Sequence, residues 1–160
     1  MMRLRQLLAL APLLLAGCGF HLQGRHDLPR SLASVRLEAG DEQTDFYAGL
    51  RAALLVAGSR LEAAPPGAAT IHVLEDRSGE RVLTVSARNI PTAYLLNYRV
   101  QVSVDYQGRE LLAPEVHTVT REYSFDERAL LAKQRERDTL QRALADELVA
   151  LVMRRLAALQ

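Results

Sequence analysis

LNYRVQVSVDY, residues 96–106, alternates without a break: Leu96, Tyr98, Val100, Val102, Val104 and Tyr106 are apolar or aromatic, and Asn97, Arg99, Gln101, Ser103 and Asp105 are polar. A period of two sends successive side chains to opposite faces of a strand. The stretch therefore predicts a half-buried antiparallel strand, with one face on a core and one left polar. Gln107-Gly108 follows as a hairpin turn, because Gly tolerates positive φ. VHTVTREY, 116–123, then reads as the returning strand, with Pro114 marking its start or an edge.

Upstream, Ser86 to Pro91 is a connecting loop. TIHVLEDRSGERVLTVS, 70–86, holds two apolar runs around the polar stretch Glu75–Arg81. It is either one long bulged strand, the preferred reading, or two strands with a turn at Ser78-Gly79. AAPPGAA, 63–69, is a turn or linker, since Pro65-Pro66 fits neither a helix interior nor a central strand. DEQTDFYAGLRAALLVAG, 41–58, changes period: Phe46, Leu50, Ala53, Leu54 and Ala57 share one helix face. Thr44 or Asp41 is placed to cap it, and Gly58 to end it in the left-handed conformation. Val35, Leu37 and Ala39 alternate with polar neighbours as a short first strand. From Ser124 or Asp126 to Leu159 the chain predicts one long amphipathic helix. Leu140, Leu144, Leu148, Leu151, Val152, Leu156 and Leu159 form its stripe, with Arg135, Asp138, Arg142, Asp146 and Arg154 largely off it. The order β-α-β-β-β-α predicts an α+β fold, two helices packed on one face of a small mixed β-sheet.

The N-terminus carries a different message. Arg3 and Arg5 precede an almost wholly apolar run from Leu7 to Ala16. A basic start and a short apolar core form an export signal; the run is shorter than the roughly 20 residues a membrane-spanning helix needs. Leu15-Ala16-Gly17-Cys18 ends it on the only cysteine of the chain, which has no internal disulfide partner. This tetrapeptide resembles the bacterial lipoprotein signal. The resemblance implies a signal peptide over 1–17 and covalent lipid on Cys18, with two or three acyl chains enough for stable anchoring. Gly19 is not Asp, and the absence of that retention signal points to the outer membrane. Residues 18–31 then form a lipidated tether, and 32–160 a single domain.

Without residues 1–17 the chain has 143 residues and a formal charge of −1, against +1 for the whole. That size fits one domain, and 49% hydrophobic content allows it a core. Near-zero charge argues against nucleic acid as a partner. His21, His26, His72 and His117 show no metal-ligand spacing, and no second Cys exists, so no zinc site is expected. The chain lacks G-x-S-x-G, G-x-x-x-x-G-K-[ST] and G-x-G-x-x-G. Ser, His and Asp are present in no arrangement that points to a hydrolase. Asp105 with Glu110, and Glu75 with Asp76, read more simply as strand-end and loop charges than as paired catalytic carboxylates. No enzyme activity and no cofactor beyond the lipid on Cys18 are expected.

Nearly the whole chain resembles the LptE family of lipopolysaccharide-assembly lipoproteins. The resemblance is carried by Cys18-Gly19-Phe20-His21-Leu22 and Leu28-Pro29, and by Arg88-Asn89 before the alternating strand. It continues through Arg121-Glu122-Tyr123-Ser124-Phe125-Asp126 and Ala129-Leu130-Leu131-Ala132-Lys133. Some family members run on into a polar tail after the last helix, whereas this sequence stops soon after it. The resemblance implies a plug inside the outer-membrane β-barrel LptD, helping it assemble and insert lipopolysaccharide in the outer leaflet, and binding lipopolysaccharide itself. A plug meets a polar barrel lumen, so Asn97, Arg99, Gln101 and Ser103 are the expected barrel-facing residues. Lipid A phosphates call for charge-assisted contacts. Arg88 and Lys133 match basic positions of the family pattern, and Arg77, Arg81 and Arg128 are possible additions. A lipid-anchored adaptor or lipid carrier acting without a barrel is the alternative; it would need an enclosed apolar pocket.

Overall fold

A computed structural model describes residues 28–61 and 67–159. The export signal, Cys18, the Phe20-His21-Leu22 segment and Pro65-Pro66 lie outside the described residues. The elements run β1 (Ser34–Ala39), α1 (Asp45–Val56), β2 (Arg60–Leu61), β3 (Ala69–Val85), β4 (Pro91–Tyr106), β5 (Arg109–Ser124) and α2 (Leu130–Ala157). The strands form one mixed sheet in the order β2-β1-β3-β4-β5. β1 is parallel to β2 and β3, and β3-β4-β5 is an antiparallel meander. This is the α+β fold expected, with the two-residue β2 as an addition too short to show in a hydrophobic pattern.

The alternation of β4 sets the layers. Leu96, Tyr98, Val100, Val102 and Val104 are buried under the helices. They meet Phe46, Leu50 and Leu54 of α1 and Leu144, Leu148, Val152 and Leu156 of α2 in one cluster. Gly49 lets the two helices close, since a Cβ there would stand 3.1 Å from a Val149 methyl. Thr44 caps α1, its hydroxyl accepting from the Tyr47 N–H, while Asp41 accepts from Gln43 one turn earlier.

Residues 70–85 belong to one long strand. It absorbs its irregularity in a bulge: Val73 pairs with Val102 and Glu75 with Gln101, leaving Leu74 as the extra residue. β5 begins at Arg109, directly after the turn and earlier than residue 116. Pro114 is not its start. It sits in a second bulge, between the pairs Val102–Glu115 and Val104–Leu112, on the outer edge strand where a missing N–H is tolerated. Gln107 (φ 52°) and Gly108 (φ 76°) form the turn. The last helix does not start at Asp126. That residue caps a short 3-10 turn, Glu127–Ala129, and the α-helix begins at Leu130. Leu32 is fully buried, and Leu28 ahead of it packs against the core.

Candidate functional site

Two surfaces stand out. The first is the sheet face that, among the described residues, carries no helix. Asn97, Arg99, Gln101, Ser103 and Asp105 all point there, opposite the buried set. Arg99 Nε donates to Glu75 Oε2 at 2.9 Å. His72 lies between Glu38 (Nδ1–Oε2 3.2 Å) and Asp105 (Nε2–Oδ2 3.1 Å). Thr118 and Thr120 of β5 pair with Arg99 and Asn97 and extend the polar surface. Ser103 contributes little of it: only 7% exposed, its short side chain is sunk beside its longer cross-strand partner His72. The face is largely polar, with Ser103 nearly buried and Leu95 and Val116 as apolar members.

The second surface is the tip, where the loop between β3 and β4 and the end of β5 meet the start of α2. The loop 86–90 is folded on itself. Ser86 N–H donates to the Ile90 carbonyl (2.8 Å), Asn89 N–H to the Ser86 carbonyl (2.9 Å), and Ile90 N–H to Ser86 Oγ (3.2 Å). Asn89 takes a left-handed φ of 59°, a region Asn tolerates better than most residues. Phe125 is tied to β4 by its N–H on the Thr92 carbonyl (2.9 Å). Asp126 Oδ1 accepts from Arg128 N–H (2.9 Å), turning the chain into α2. Lys133 Nζ donates to Ser124 Oγ (3.2 Å) and Glu136 Oε2 (2.8 Å), which holds the start of the helix against the end of β5.

Two clefts open at this tip. One, about 250 Å³, is lined by Glu80, Tyr94, Tyr123, Phe125, Leu130, Lys133, Gln134 and Arg137. The other, about 190 Å³, includes Arg88, Ile90, Pro91, Phe125 and Arg128 in its lining. Phe125 belongs to both. Tyr94 stacks on Tyr123 (centroids 5.7 Å apart, 19° between planes) and meets Phe125 edge-on (5.3 Å, 81°). The Tyr123 hydroxyl donates to Glu80 Oε2 at 3.1 Å. Burial, and then this carboxylate, push its phenol up to about 12. The Arg137 guanidinium bonds Asp138 (3.0 and 3.2 Å), and that bond raises its pKa.

The fold thus brings Arg88, Arg128 and Lys133 to one end, although Arg88 and Lys133 are 45 positions apart in the chain. It does not bring Arg77 with them: Arg77 lines a separate cleft of about 300 Å³ with Asp41, Glu75 and Asp76, where β1 stops and β3 continues. Arg81 is exposed on β3 opposite Leu95 and lines neither tip cleft. Glu80, Tyr94, Gln134 and Arg137 were not expected at a site. The apolar run Tyr94-Leu95-Leu96 at the start of β4 was the one available signal, and it reads equally as core. Among the described residues no group of His, Cys, Asp or Glu is placed to hold a metal, and no helix is long and apolar enough to cross a membrane.

A family model described as LptE, lipopolysaccharide-assembly, matches residues 32–156. The LPS-assembly lipoprotein LptE of Pectobacterium atrosepticum is 24% identical over 151 residues, 93% of this chain and 82% of that protein. The protein of the same description from Yersinia enterocolitica is 24% identical over 152 residues, 94% of this chain and 73% of its own length. Among solved structures, an uncharacterised lipoprotein B from Nitrosomonas europaea superposes with a TM-score of 0.72 at 22% identity, covering 88% of this chain and 91% of its own. The rare lipoprotein B of Shewanella oneidensis gives 0.70 at 22% identity, over 78% and 94%. These structural likenesses establish the shared fold.

Proposed function

This chain belongs to the LptE family of lipopolysaccharide-assembly proteins, and from that premise we propose that it is an outer-membrane lipoprotein that plugs an LptD-type β-barrel and binds lipopolysaccharide at its tip. Lipid on Cys18 anchors it to the outer membrane on the periplasmic side. It does no chemistry. It helps the barrel assemble and takes part in inserting lipopolysaccharide into the outer leaflet.

The observation that carries this reading is the two-sided build. One sheet face is sealed by helices, while the other, among the described residues, is bare and largely polar, with Leu95 and Val116 as apolar exceptions and a cation-bearing tip at one end. A barrel lumen is polar, so a polar plug face loses little on entering it. Asn97, Arg99 and Gln101 are the side chains for that contact, with Ser103 nearly buried among them. At the tip, Arg88 and Arg128 are exposed, and Lys133 is fixed by two bonds. Guanidinium and ammonium groups around one aromatic ring suit a phosphate on an apolar base. Arg77 and Arg81, which lie away from these clefts, are secondary contacts at most.

Two measurements test the reading. Extracting the tagged chain in mild detergent should recover a large β-barrel at one-to-one stoichiometry; recovery of the chain alone, or with lipid only, favours the free adaptor or carrier. Arg88→Glu combined with Lys133→Glu should weaken lipopolysaccharide binding with an unchanged circular dichroism spectrum; unchanged affinity removes these residues from the site.

A further inference from the structure

The larger tip cleft is built of two unlike halves. Its floor is aromatic carbon, from Tyr94, Tyr123 and Phe125 locked against one another. The polar end of Tyr123 is already taken by Glu80. Leu130 forms a wall and is 50% exposed; its neighbour Leu131 is 73% exposed. Val82, 47% exposed, continues the row, since Val82 pairs with Tyr94 and Tyr94 with Tyr123 across the ladder. Leu130 and Leu131 in the first turn of α2, and Val82 on β3, are large apolar side chains kept in water, and they add nothing to the core. The other half is cationic: Lys133 and Arg137 line the same cleft, and the shared Phe125 leads into the cleft of Arg88 and Arg128.

Resting on the lipopolysaccharide-binding reading above, we propose that the cleft between Tyr94, Tyr123, Phe125 and Leu130 is an acyl-chain subsite, taking one hydrocarbon chain of an anionic glycolipid whose phosphate lies among Lys133, Arg128 and Arg88. A sugar phosphate alone would satisfy the cations and leave the ring floor and Leu130 wet. A neutral chain alone would leave Arg88 and Arg128, exposed beside the same Phe125, unused. An amphiphile with phosphate and chain close together fits both halves. At about 250 Å³ the cleft has room for a segment of one chain and not for a bundle. Each methylene that leaves water for such a surface is worth about fourfold in affinity.

The test uses two soluble probes: a phosphorylated glucosamine disaccharide bearing short acyl chains, below its aggregation limit, and the same compound fully deacylated. Both are titrated by surface plasmon resonance over the immobilised full chain and over its Leu130→Asn variant, which removes the apolar wall without adding charge beside the phosphate. Leu130 is half exposed, so that variant keeps the fold. The acylated probe should bind at least tenfold more tightly than the deacylated one. Leu130→Asn should remove most of that difference and leave the deacylated probe unchanged. A photoreactive group at the chain end should cross-link to Tyr94 or within 120–137. Equal affinity of the two probes overturns the acyl subsite while lipopolysaccharide binding through the cations stands. So does a difference that survives Leu130→Asn. Binding of neither probe overturns both readings.

Discussion

Single side chains decide how tightly the two layers close and how the tip responds to pH. Gly49 faces α2 closely: a Cβ there would stand 3.1 Å from a Val149 methyl. Gly49→Val should force the helices apart and cost about 1–3 kcal/mol in a urea titration; an unchanged midpoint would mean the helices have slack. Leu148 is fully buried between helix and sheet, and Leu148→Ala should cost about 2–5 kcal/mol. Tyr123 governs an alkaline limit. Its phenol is pushed up to about 12 by burial and Glu80, whereas an unfolded tyrosine ionises near pH ~10. Between those values the folded chain holds a proton that the unfolded chain releases. The associated stability is therefore complete below pH ~10 and is lost as pH rises toward 12. Tyr47 and Tyr98 add to the same trend, each raised chiefly by burial. Tyr123→Phe should flatten part of the loss of stability between pH 8 and pH 11, measured by denaturation at each.

At the scale of elements, strand lengths matter more than strand identities. Within β3, β1 pairs only with Ala69–Val73, but β3 continues to Val85. Past Val73 its outer side is an open edge, carrying backbone groups that no strand among the described residues meets. Hydrogen exchange should show residues 69–73 protected throughout and residues 75–85 alternating between slow amides bonded to β4 and fast ones facing outward. Uniform protection of 75–85 would mean that edge is covered. The β4–β5 hairpin depends on two left-handed residues, Gln107 and Gly108. Gly108→Ala should cost about 1–2 kcal/mol, the usual penalty for a Cβ in that region. Surface ion pairs such as Arg121–Glu147 (3.2 Å) and Arg155–Glu115 (2.7 Å) tie α2 to β5. Both are exposed, and deleting either should change stability by less than about 1 kcal/mol.

The whole molecule is a two-layer plate with one finished face, one bare face and an amphipathic end. Replacing Asn97 and Thr120, a cross-strand pair on the bare face, with Trp should leave folding intact and reduce the barrel recovered with the chain. Full recovery would place the barrel contact elsewhere. The four longer strands, both helices and the hairpin were legible in the sequence because each rests on a short-range rule: period two, period 3.6, or a glycine at a turn; the two-residue β2 was not. The segment ending at Cys18 that resembles a lipoprotein signal is likewise a local string, and lies outside the described residues. The tip was only half legible. Arg77, Arg88 and Arg128 look alike in the sequence, each an arginine at a strand or loop boundary. What separates them is where the chain returns: the register of β3, β4 and β5, and the landing point of Lys133 on Ser124, place two of them beside Phe125 and leave the third by Asp76. Glu80, Tyr94, Tyr123 and Arg137 meet across separations of up to 57 positions. Local patterning thus determines which face of each element is buried. Only the tertiary structure decides which exposed ends are neighbours, because that depends on strand lengths and crossing points that no single segment encodes.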